Sequence, residues 1–374
     1  MRVCYFGTYR SNYSRNQMMI EGLRQVGVDV IECHRPLWRG FEDRVAIVNG
    51  GWKKPAFLWR VIRTYSGLLG EFFKLKDYDV IIVGYPGYID IFVAYVLSLI
   101  KKKPLIWDVF NSLHLMMTER RVGTTSPLMV KFVKHLERFA FRFPSRLILD
   151  NEVFIEWFQR IYNINVERFR TVPIGGDNRY FYPILGKKKQ DEFFRVVYYG
   201  TYIPNHGVEY IIGAAQLLQD DPEIRFVMIG KGPDREKAQN LVLQANLKNV
   251  EFIDWVDWTE LAQYIAQMDV VLGAFGISEQ LLLTNNNKIY EAFAMYKPVV
   301  SSKSPAMPAV LQHGVHMYMC DRGNSISLAE AIRTLKKDPV FCQEIAKQGN
   351  SIFKEYFDIK HIGLRLLEIV QETL

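Results

Sequence analysis

Short apolar runs rich in β-branched residues alternate with segments of helical periodicity along most of this 374-residue chain. Val3–Phe6 is the first such run, and Met19, Ile20 and Leu23 then recur at helical spacing within residues 16–25. Apolar strands that alternate with helices are typical of a parallel sheet covered on both faces. Further strands are predicted on the same grounds at residues 28–31, 79–83, 104–108, 146–150, 194–200, 224–230, 250–253, 269–273 and 298–301.

The alternation restarts after residue 193, which predicts two domains. The polar run Gly186–Glu192 follows Phe181-Tyr182-Pro183 and is the best linker. The predicted fold is α/β, with two doubly wound Rossmann-like domains facing each other across a cleft and ligands at the carboxyl ends of the strands. The expected divisions are a first domain at 1–183, a linker at 184–192, a second domain at 193–350 and C-terminal helices at 351–374 that pack back on the first domain. The helices predicted in the second half are 208–219, 233–246, 259–267, 287–296, 325–337 and 340–356.

The apolar stretch Val80–Ile100 is about as long as a membrane-spanning helix. Gly84, Pro86 and Asp90 interrupt it, however, and it begins as a strand. We therefore predict a strand, a loop and a buried helix here, with Lys101–Lys103 complementing the dipole at the helix C-terminus.

The charge distribution and the cysteines indicate which kind of partner and which cellular compartment to expect. The net charge is +7, but residues 1–180 carry 27 Lys and Arg against 17 Asp and Glu, whereas the remainder is slightly acidic. The first half is therefore expected to meet an anionic partner, and the sequence has no nucleic-acid-binding motif. Four cysteines without metal or disulfide spacing, and no signal peptide, predict a cytoplasmic protein with reduced thiols.

The segment Asn287–Met295, followed by the strand-like Pro298-Val299-Val300, carries the most specific chemistry. Unpaired N–H groups at a helix N-terminus attract phosphate. Lys288 at the start and Glu291 one turn later could hold a diphosphate and a ribose, although a surface Lys–Glu pair on an ordinary helix has the same pattern.

Two glycine-containing turns follow predicted strands of the second half. Gly200–Val208 includes Thr201 and His206, and Gly230-Lys231-Gly232 precedes Pro233 at a helix start. Such turns bring backbone N–H groups close to phosphate, and Lys231 adds a cation. Each turn alone is equally compatible with an ordinary strand-to-helix loop.

In this order and spacing, the three segments resemble family 4 of the nucleotide-sugar-dependent glycosyltransferases, which have the two-domain GT-B fold. The resemblance covers roughly residues 170–340. It includes Val172-Pro173-Ile174-Gly175-Gly176-Asp177 with Phe181-Tyr182-Pro183, and Asn249–Phe252 with Trp255-Val256. The first half resembles the family only in its first strand and turn and in the order of its elements.

The resemblance implies that Glu291 bonds the ribose of the donor nucleotide and that Lys288 lies near the diphosphate. It also implies a retaining, metal-independent enzyme without a cofactor, because the nucleotide sugar is a co-substrate and basic side chains and helix dipoles stabilise the leaving diphosphate. The candidate nucleotide-sugar-binding residues are Gly7, Thr8, Gly200, Thr201, His206, Gly230, Lys231, Gly232, Asn287, Lys288 and Glu291.

The chain departs from the family pattern at the phosphate-binding turn and at the donor sugar. Thr201 and His206 occupy places where many members carry arginine and lysine, so the positive charge would come from Lys231, Lys288 or Arg15. Leu283 replaces a glutamate that the family often has eight positions before Glu291, and Glu279 is out of register.

The first half lacks the family's histidine directly after its fourth strand. Asp108 ends that strand, and His114 lies farther on and fits a helix surface better than catalysis. The predicted catalytic residues are therefore Asp108, Lys288 and Glu291.

Two segments of the first half mix aromatic and basic residues. Residues 52–76 do so throughout, and in residues 128–143 a basic face opposes Phe132, Leu136, Phe139 and Phe143. The second segment is equally compatible with a buried helix that has a solvated basic face. We predict peripheral binding to an anionic leaflet at the inner face of the cell membrane. The basic positions of the second segment are Lys131, Lys134, Arg138 and Arg142.

The function predicted is transfer of a sugar from a nucleotide diphosphate to an acceptor hydroxyl, on a lipid-linked or surface-polysaccharide precursor. The partners are thus a nucleotide-sugar donor, a sugar or lipid-linked acceptor and a membrane surface. The alternative is a catalytically degenerate GT-B subunit that supports a partner transferase. A dehydrogenase is disfavoured, since no glycine-x-glycine-x-x-glycine follows Val3–Phe6. The base, the sugar and the acceptor are not identified by the sequence.

Overall fold

The computed structural model describes residues 1–38, 54–119, 127–184 and 192–374, which form two compact units. Unit 1 comprises Met1–Pro173 together with Ile359–Leu374, and unit 2 comprises Ile174–Asp358. The division thus falls before the expected linker at 184–192, most of which lies outside the described residues. The last helix of the chain is part of unit 1.

Unit 1 contains a six-stranded parallel sheet in the order β2-β1-β3-β4-β5-β6. Every residue of β3 and β4 is buried, as expected for strands covered on both faces. The strands are β1 (Arg2–Gly7), β2 (Asp29–His34), β3 (Val80–Val83), β4 (Leu105–Asp108), β5 (Arg146–Leu149) and β6 (Phe169–Thr171).

The helices of unit 1 bury apolar residues that recur at helical spacing in the sequence. The first and last of them pack on each other, and Met19, Leu23, Ile362 and Leu366 join the same buried cluster as β1 and β3. The helices are α1 (Ser14–Gln25), α2 (Pro55–Phe72), α3 (Asp90–Lys101), α4 (Leu113–Glu119), α5 (Pro127–Ala140), α6 (Glu152–Tyr162) and α14 (Ile359–Gln371).

Unit 2 repeats this architecture with strand order β12-β11-β10-β7-β8-β9, all neighbours being parallel. Its strands are β7 (Phe194–Gly200), β8 (Ile224–Gly230), β9 (Val250–Ile253), β10 (Val270–Leu272), β11 (Val299–Ser302) and β12 (Tyr318–Cys320). Its helices are α7 (Val208–Leu217), α8 (Arg235–Gln244), α9 (Trp258–Ala266), α10 (Glu279–Leu283), α11 (Asn287–Ala294), α12 (Ser325–Lys337) and α13 (Pro339–Tyr356).

The predicted fold class, two doubly wound parallel-sheet α/β units, is confirmed. In residues 80–100 the strand and the helix are also confirmed, but the helix is not buried all round. Val96, Leu99 and Ile100 on α3 each keep more than half of their surface exposed. Within the described ranges, no helix has both the length and the apolar character that a membrane crossing needs.

Candidate functional site

The carboxyl edge of the unit 2 sheet brings two of the predicted glycine turns together. Gly200 ends β7, Gly230 ends β8, and the two residues are register partners. Gly230 has a φ of 118° and Gly232 a φ of 155°, which L-residues with side chains rarely adopt. A Cβ at Gly232 would collide with the carbonyl group of Thr201. Glycine is therefore required for the two turns to lie against each other.

Helix α11 begins beside this edge with an open N-terminus. Its N-cap residue, Asn286, makes no side-chain hydrogen bond to the first turn, and no acidic residue lies in that turn. A helix start that no side chain caps, with the positive end of the helix dipole, is suited to an anion, and of the first-turn N–H groups that of Ile289 donates to the Asn286 carbonyl. Asn287 and Lys288 are the first two residues of the helix.

The Lys288 side chain is buried, with 6% of its surface exposed, and it packs at the glycine edge. Its Nζ lies 4.7 Å from the centroid of the Tyr198 ring. Its Cε lies 3.3 Å from the position a Cβ on Gly200 would occupy. Nζ has no hydrogen-bond partner in the structure. Burial lowers the pKa of Lys288 to about 7, and the nearby Glu291 partly opposes that shift.

Tyr198 connects Lys288 to a second predicted residue, His206. The Tyr198 hydroxyl and His206 Nδ1 are hydrogen-bonded at 2.7 Å. His206 is 8% exposed, and its Cε1 also approaches Gly200. Lys288, Tyr198 and His206 thus form a cluster of one amine, one aromatic ring and one imidazole around Gly200.

Glu291 lies one turn into α11 and accepts a 2.8 Å hydrogen bond from the Tyr199 hydroxyl. Burial raises the pKa of Glu291 to about 7, and Asp177 raises it further, whereas the Tyr199 hydrogen bond and Lys288 act in the opposite direction. Gly176 packs directly on the backbone of α11, since a Cβ there would lie 2.8 Å from the Tyr290 carbonyl oxygen. The segment predicted as interdomain therefore supports the helix that carries Glu291.

The remaining predicted residues of unit 2 are more exposed. Thr201 and Lys231 face solvent beside the glycine turns. Leu283 is buried in α10, and Glu279 is exposed at the beginning of that helix. The structure thus brings Lys288, His206 and the glycines together and leaves Lys231 at the rim.

In unit 1, the turn after β1 is held by a buried carboxylate. Asp90 Oδ2 accepts a 2.9 Å hydrogen bond from the Thr8 N–H, and the Thr8 hydroxyl donates to the same carboxylate. The Tyr65 hydroxyl donates to Asp90 at 2.6 Å. A Cβ at Gly7 would lie 2.7 Å from Asp90 Oδ2. Gly7 and Thr8 are thereby fixed at the carboxyl end of β1.

Asp108 is fully buried and forms an ion pair with Arg15. Arg15 Nη2 donates to Asp108 Oδ1 at 2.8 Å and Arg15 Nε donates to Oδ2 at 2.9 Å, while Nη1 donates to the Val172 carbonyl. The guanidinium also lies over the Phe110 ring at 4.5 Å. Asp108 is a structural partner of Arg15 in this conformation, and its contact with a reacting sugar stays a prediction. Because the Arg15 guanidinium is bonded to Asp108 and to the Val172 carbonyl, it is not available to a phosphate in this conformation.

His114 is the second residue of α4, and its backbone N–H donates to the buried Glu137 at 3.1 Å. Glu137 also accepts from the Leu113 N–H and from the Tyr162 hydroxyl, so it caps the helix N-terminus. His114 is half-buried at this helix start, and the expectation that it is not catalytic stays a prediction.

Sequence reasoning did not identify Tyr198, Tyr199 and Asp177 as site residues. In the sequence, the two tyrosines belong to the apolar run that predicts a strand. The one signal of a site was their position at the carboxyl end of that strand, beside a glycine. Tyrosine there can bury its ring and still offer its hydroxyl to a neighbour. Across the described residues, no group of three or more His, Cys, Asp or Glu side chains is arranged to hold a metal ion.

Comparison with known proteins agrees with this geometry. Residues 194–338 match the family model described as glycosyl transferases group 1. The chain is 25% identical over 177 residues to the lipopolysaccharide core biosynthesis glycosyltransferase LpsD of Rhizobium meliloti, covering 47% of this chain and 49% of LpsD. It is 21% identical over 165 residues to an uncharacterised glycosyltransferase of Methanocaldococcus jannaschii, covering 43% of each. The chain therefore matches about half the length of these curated relatives.

Solved structures match along the whole chain. HepE of Anabaena, in complex with UDP and glucose, is 17% identical with a TM-score of 0.67, and each chain is covered fully. Sucrose-phosphate synthase of Thermosynechococcus elongatus is 14% identical with a TM-score of 0.71, covering 99% of this chain and 98% of the synthase. These likenesses show the GT-B fold.

Proposed function

We propose that this chain is a glycosyltransferase that moves a sugar from a nucleotide-diphosphate donor to an acceptor hydroxyl. The observation that carries the proposal is the buried Lys288 amine, which has no hydrogen-bond partner beside the open N-terminus of α11 and the glycine edge. This cluster lies in the segment that matches the group 1 glycosyl transferases. The HepE complexes with UDP and with UDP-glucose support a nucleotide sugar as the donor.

The side chains and backbone groups at the carboxyl edge of the unit 2 sheet are suited to stabilise a nucleoside diphosphate as it leaves the sugar. Negative charge develops on the diphosphate as the bond to the sugar breaks, and preorganised donors at that position lower the barrier. The Lys288 ammonium and the first N–H groups of α11 would supply such stabilisation, with Glu291 on the ribose hydroxyls. Gly200, Gly230 and Gly232 would allow close backbone approach.

The finer features of the proposed reaction are retention of configuration and independence of metal ions. In a retaining transfer, the leaving diphosphate accepts the proton of the incoming hydroxyl on the same face of the sugar. The protein then contributes mainly orientation and charge stabilisation. The buried Lys288 amine supports this role, because in its protonated form it is a cation where a metal ion would otherwise balance the diphosphate.

Variants of Lys288 and Glu291 should test the donor site. In a thermal-shift screen with UDP-glucose, GDP-mannose and ADP-glucose, at least one donor should raise the melting temperature of the wild type. The Lys288→Met and Glu291→Gln variants should lower the affinity for that donor about tenfold or more each, since each removes a charged hydrogen-bonding partner. Lys347→Met and Glu344→Gln, on the exposed face of α13, are the matched controls.

A double variant, Lys288→Ala with Glu291→Ala, that turns over like the wild type would refute this assignment. The alternative function is a degenerate GT-B subunit, which the absence of glutamate at Leu283 and of cations at Thr201 and His206 favours. Measuring donor hydrolysis without an acceptor distinguishes an active transferase from a degenerate subunit, because a degenerate subunit releases no free sugar.

A membrane-linked acceptor is supported by the surface of unit 1. Helix α3 contacts α2 through the hydrogen bond from Tyr65 to Asp90, and it contacts α5 through the stacking of Phe92 on Phe139. These three helices carry apolar side chains that are more than half exposed among basic residues. That combination suits an interfacial surface against anionic lipid. The exposed apolar residues are Leu58, Trp59, Ile62, Val96, Leu99, Ile100, Leu128 and Phe132.

Flotation with vesicles tests this surface. The wild type should float with phosphatidylglycerol vesicles at low salt and much less with phosphatidylcholine vesicles, because the basic residues need anionic headgroups. Combining Trp59→Ser with Phe132→Ser should reduce flotation severalfold, since each removes an exposed aromatic ring. Leu243→Ser, at a 75% exposed position of unit 2, is the control. Equal recovery with both lipids at low salt would contradict peripheral binding to an anionic leaflet.

A further inference from the structure

The Lys288 amine has an unusual environment for a cation. Its Nζ is buried, has no hydrogen-bond partner among the described residues and lies over the face of the Tyr198 ring. A buried charge is normally paired, and an unpaired amine in such a place tends to lose its proton. A cation–π contact offsets only part of that penalty.

The titratable groups around Lys288 do not supply a bonded counter-ion. On α11, Glu291 is bonded instead by the Tyr199 hydroxyl of β7. The Tyr198 hydroxyl, also on β7, is paired with His206 from the turn that follows. Asp177 acts on Glu291 and is itself in an ion pair with Arg179. The counter-charge for Lys288 is therefore left to a ligand.

We propose that Lys288 is a proton-coupled donor-binding residue, whose neutral amine takes up one proton from solvent as the donor diphosphate enters the site. This inference rests on the proposed function. The balance is simple: the amine and a proton from the buffer become an ammonium, which is then paired with the diphosphate. Tyr198 and His206 are positioning residues that hold the amine at Gly200.

The direction of the pH dependence follows from the environment. With its pKa lowered to about 7 by burial, Lys288 is largely neutral in the empty site at about pH 8 and largely protonated at about pH 6. A bound diphosphate raises that pKa. Proton uptake on binding should therefore be small at about pH 6 and should approach one proton at about pH 8, with affinity falling up to about tenfold per pH unit above 7.

Glu291 needs a separate control, because its change would have the same sign. Burial raises its pKa to about 7, and a neighbouring diphosphate would raise it further, so it too could gain a proton. His206 is a third group that could do so. The Glu291→Gln and His206→Gln variants remove these contributions and leave Lys288 in place.

Isothermal titration calorimetry in HEPES, tricine and Tris measures the protons taken up, since these buffers differ in ionisation enthalpy. The probe is whichever of UDP-glucose, GDP-mannose and ADP-glucose binds, because the diphosphate diesters of nucleotide sugars do not titrate near neutral pH, unlike a terminal phosphate. Lys288→Arg is the decisive variant, since a guanidinium is always protonated. Lys347→Arg is its matched control.

The proposal expects uptake in the wild type, in Lys347→Arg, in Glu291→Gln and in His206→Gln, and none in Lys288→Arg, whose affinity should be nearly constant from about pH 6 to about pH 8. Uptake that persists in Lys288→Arg, or that disappears in Glu291→Gln or His206→Gln, overturns the assignment to Lys288. Binding without any buffer dependence overturns proton coupling and leaves the proposed function intact. Failure of all three donors to bind overturns the proposed function itself.

Discussion

Replacing Asp108 with alanine should lower the free energy of unfolding of unit 1 by about 3–5 kcal/mol, because the Arg15 guanidinium is then left buried without its counter-ion. Both groups are almost completely inaccessible, with side-chain exposures of 0% and 4%. Arginine does not lose its proton in proteins, so it cannot escape the penalty by becoming neutral. Hydrogen exchange resolved by peptide should show faster exchange in β4 and unchanged exchange in β10.

The same pair separates a structural role of Asp108 from a catalytic one. A double variant, Asp108→Leu with Arg15→Met, removes both charges and should recover most of the lost stability, since buried ion pairs are often replaceable by apolar residues of similar volume. If the recovered protein transfers sugar normally, Asp108 is structural only. If it is stable but inactive, the prediction of a catalytic Asp108 gains its first support. A single Asp108→Ala variant as stable as the wild type would contradict the ion-pair argument.

Gly363→Ala should cost unit 1 about 3 kcal/mol or more, although alanine normally favours a helix over glycine by about 1 kcal/mol. At this position α14 crosses α1 with backbone touching backbone. A Cβ on Gly363 would collide with the carbonyl group of Gly22, and a Cβ on Gly22 would lie 2.7 Å from the Ile359 carbonyl oxygen. Neither neighbour is a flexible side-chain end, so the helices would have to separate.

Gly70→Ala in α2 is the matched control, because a Cβ there would meet no atom within 4 Å. We expect it to be neutral or slightly stabilising. Urea unfolding, followed through hydrogen exchange of peptides from α1 and α14, measures the free energy of unfolding of unit 1 in both variants. Equal stability of Gly363→Ala and the wild type would show that the helices can move apart cheaply.

The positions of most strands could be predicted because strands buried on both faces appear in a sequence as continuous apolar runs. Phe169–Thr171 and Tyr318–Cys320 were missed for the converse reason. They are three-residue strands at the edges of the two sheets, and the first of them carries the polar residues Arg170 and Thr171.

The site could be predicted in part, because glycine turns and a helix start are local signals. Lys288, Glu291 and the three glycines were therefore predicted as site residues from the sequence, and the structure places Lys288 beside Gly200. The contacts that determine their chemistry are not local: Tyr198 is 90 positions from Lys288, and Arg15 is 93 from Asp108. Such pairs depend on which strands become neighbours and on side-chain rotamers. Neither is encoded in a short pattern.

The return of α14 to unit 1 makes unit 2 an insertion within it: the chain leaves unit 1 after Pro173 and re-enters it at Ile359. Residues 174–358 are thus a single uninterrupted segment that can be expressed alone. Unit 1 is not a single segment of the chain. Residues 1–173 alone lack α14, the helix that covers Met19, Ile20 and Leu23. To obtain unit 1 separately, residues 359–374 must be supplied as a peptide or joined to residues 1–173 by circular permutation. During synthesis, unit 1 can complete its fold only after residues 359–374 have left the ribosome.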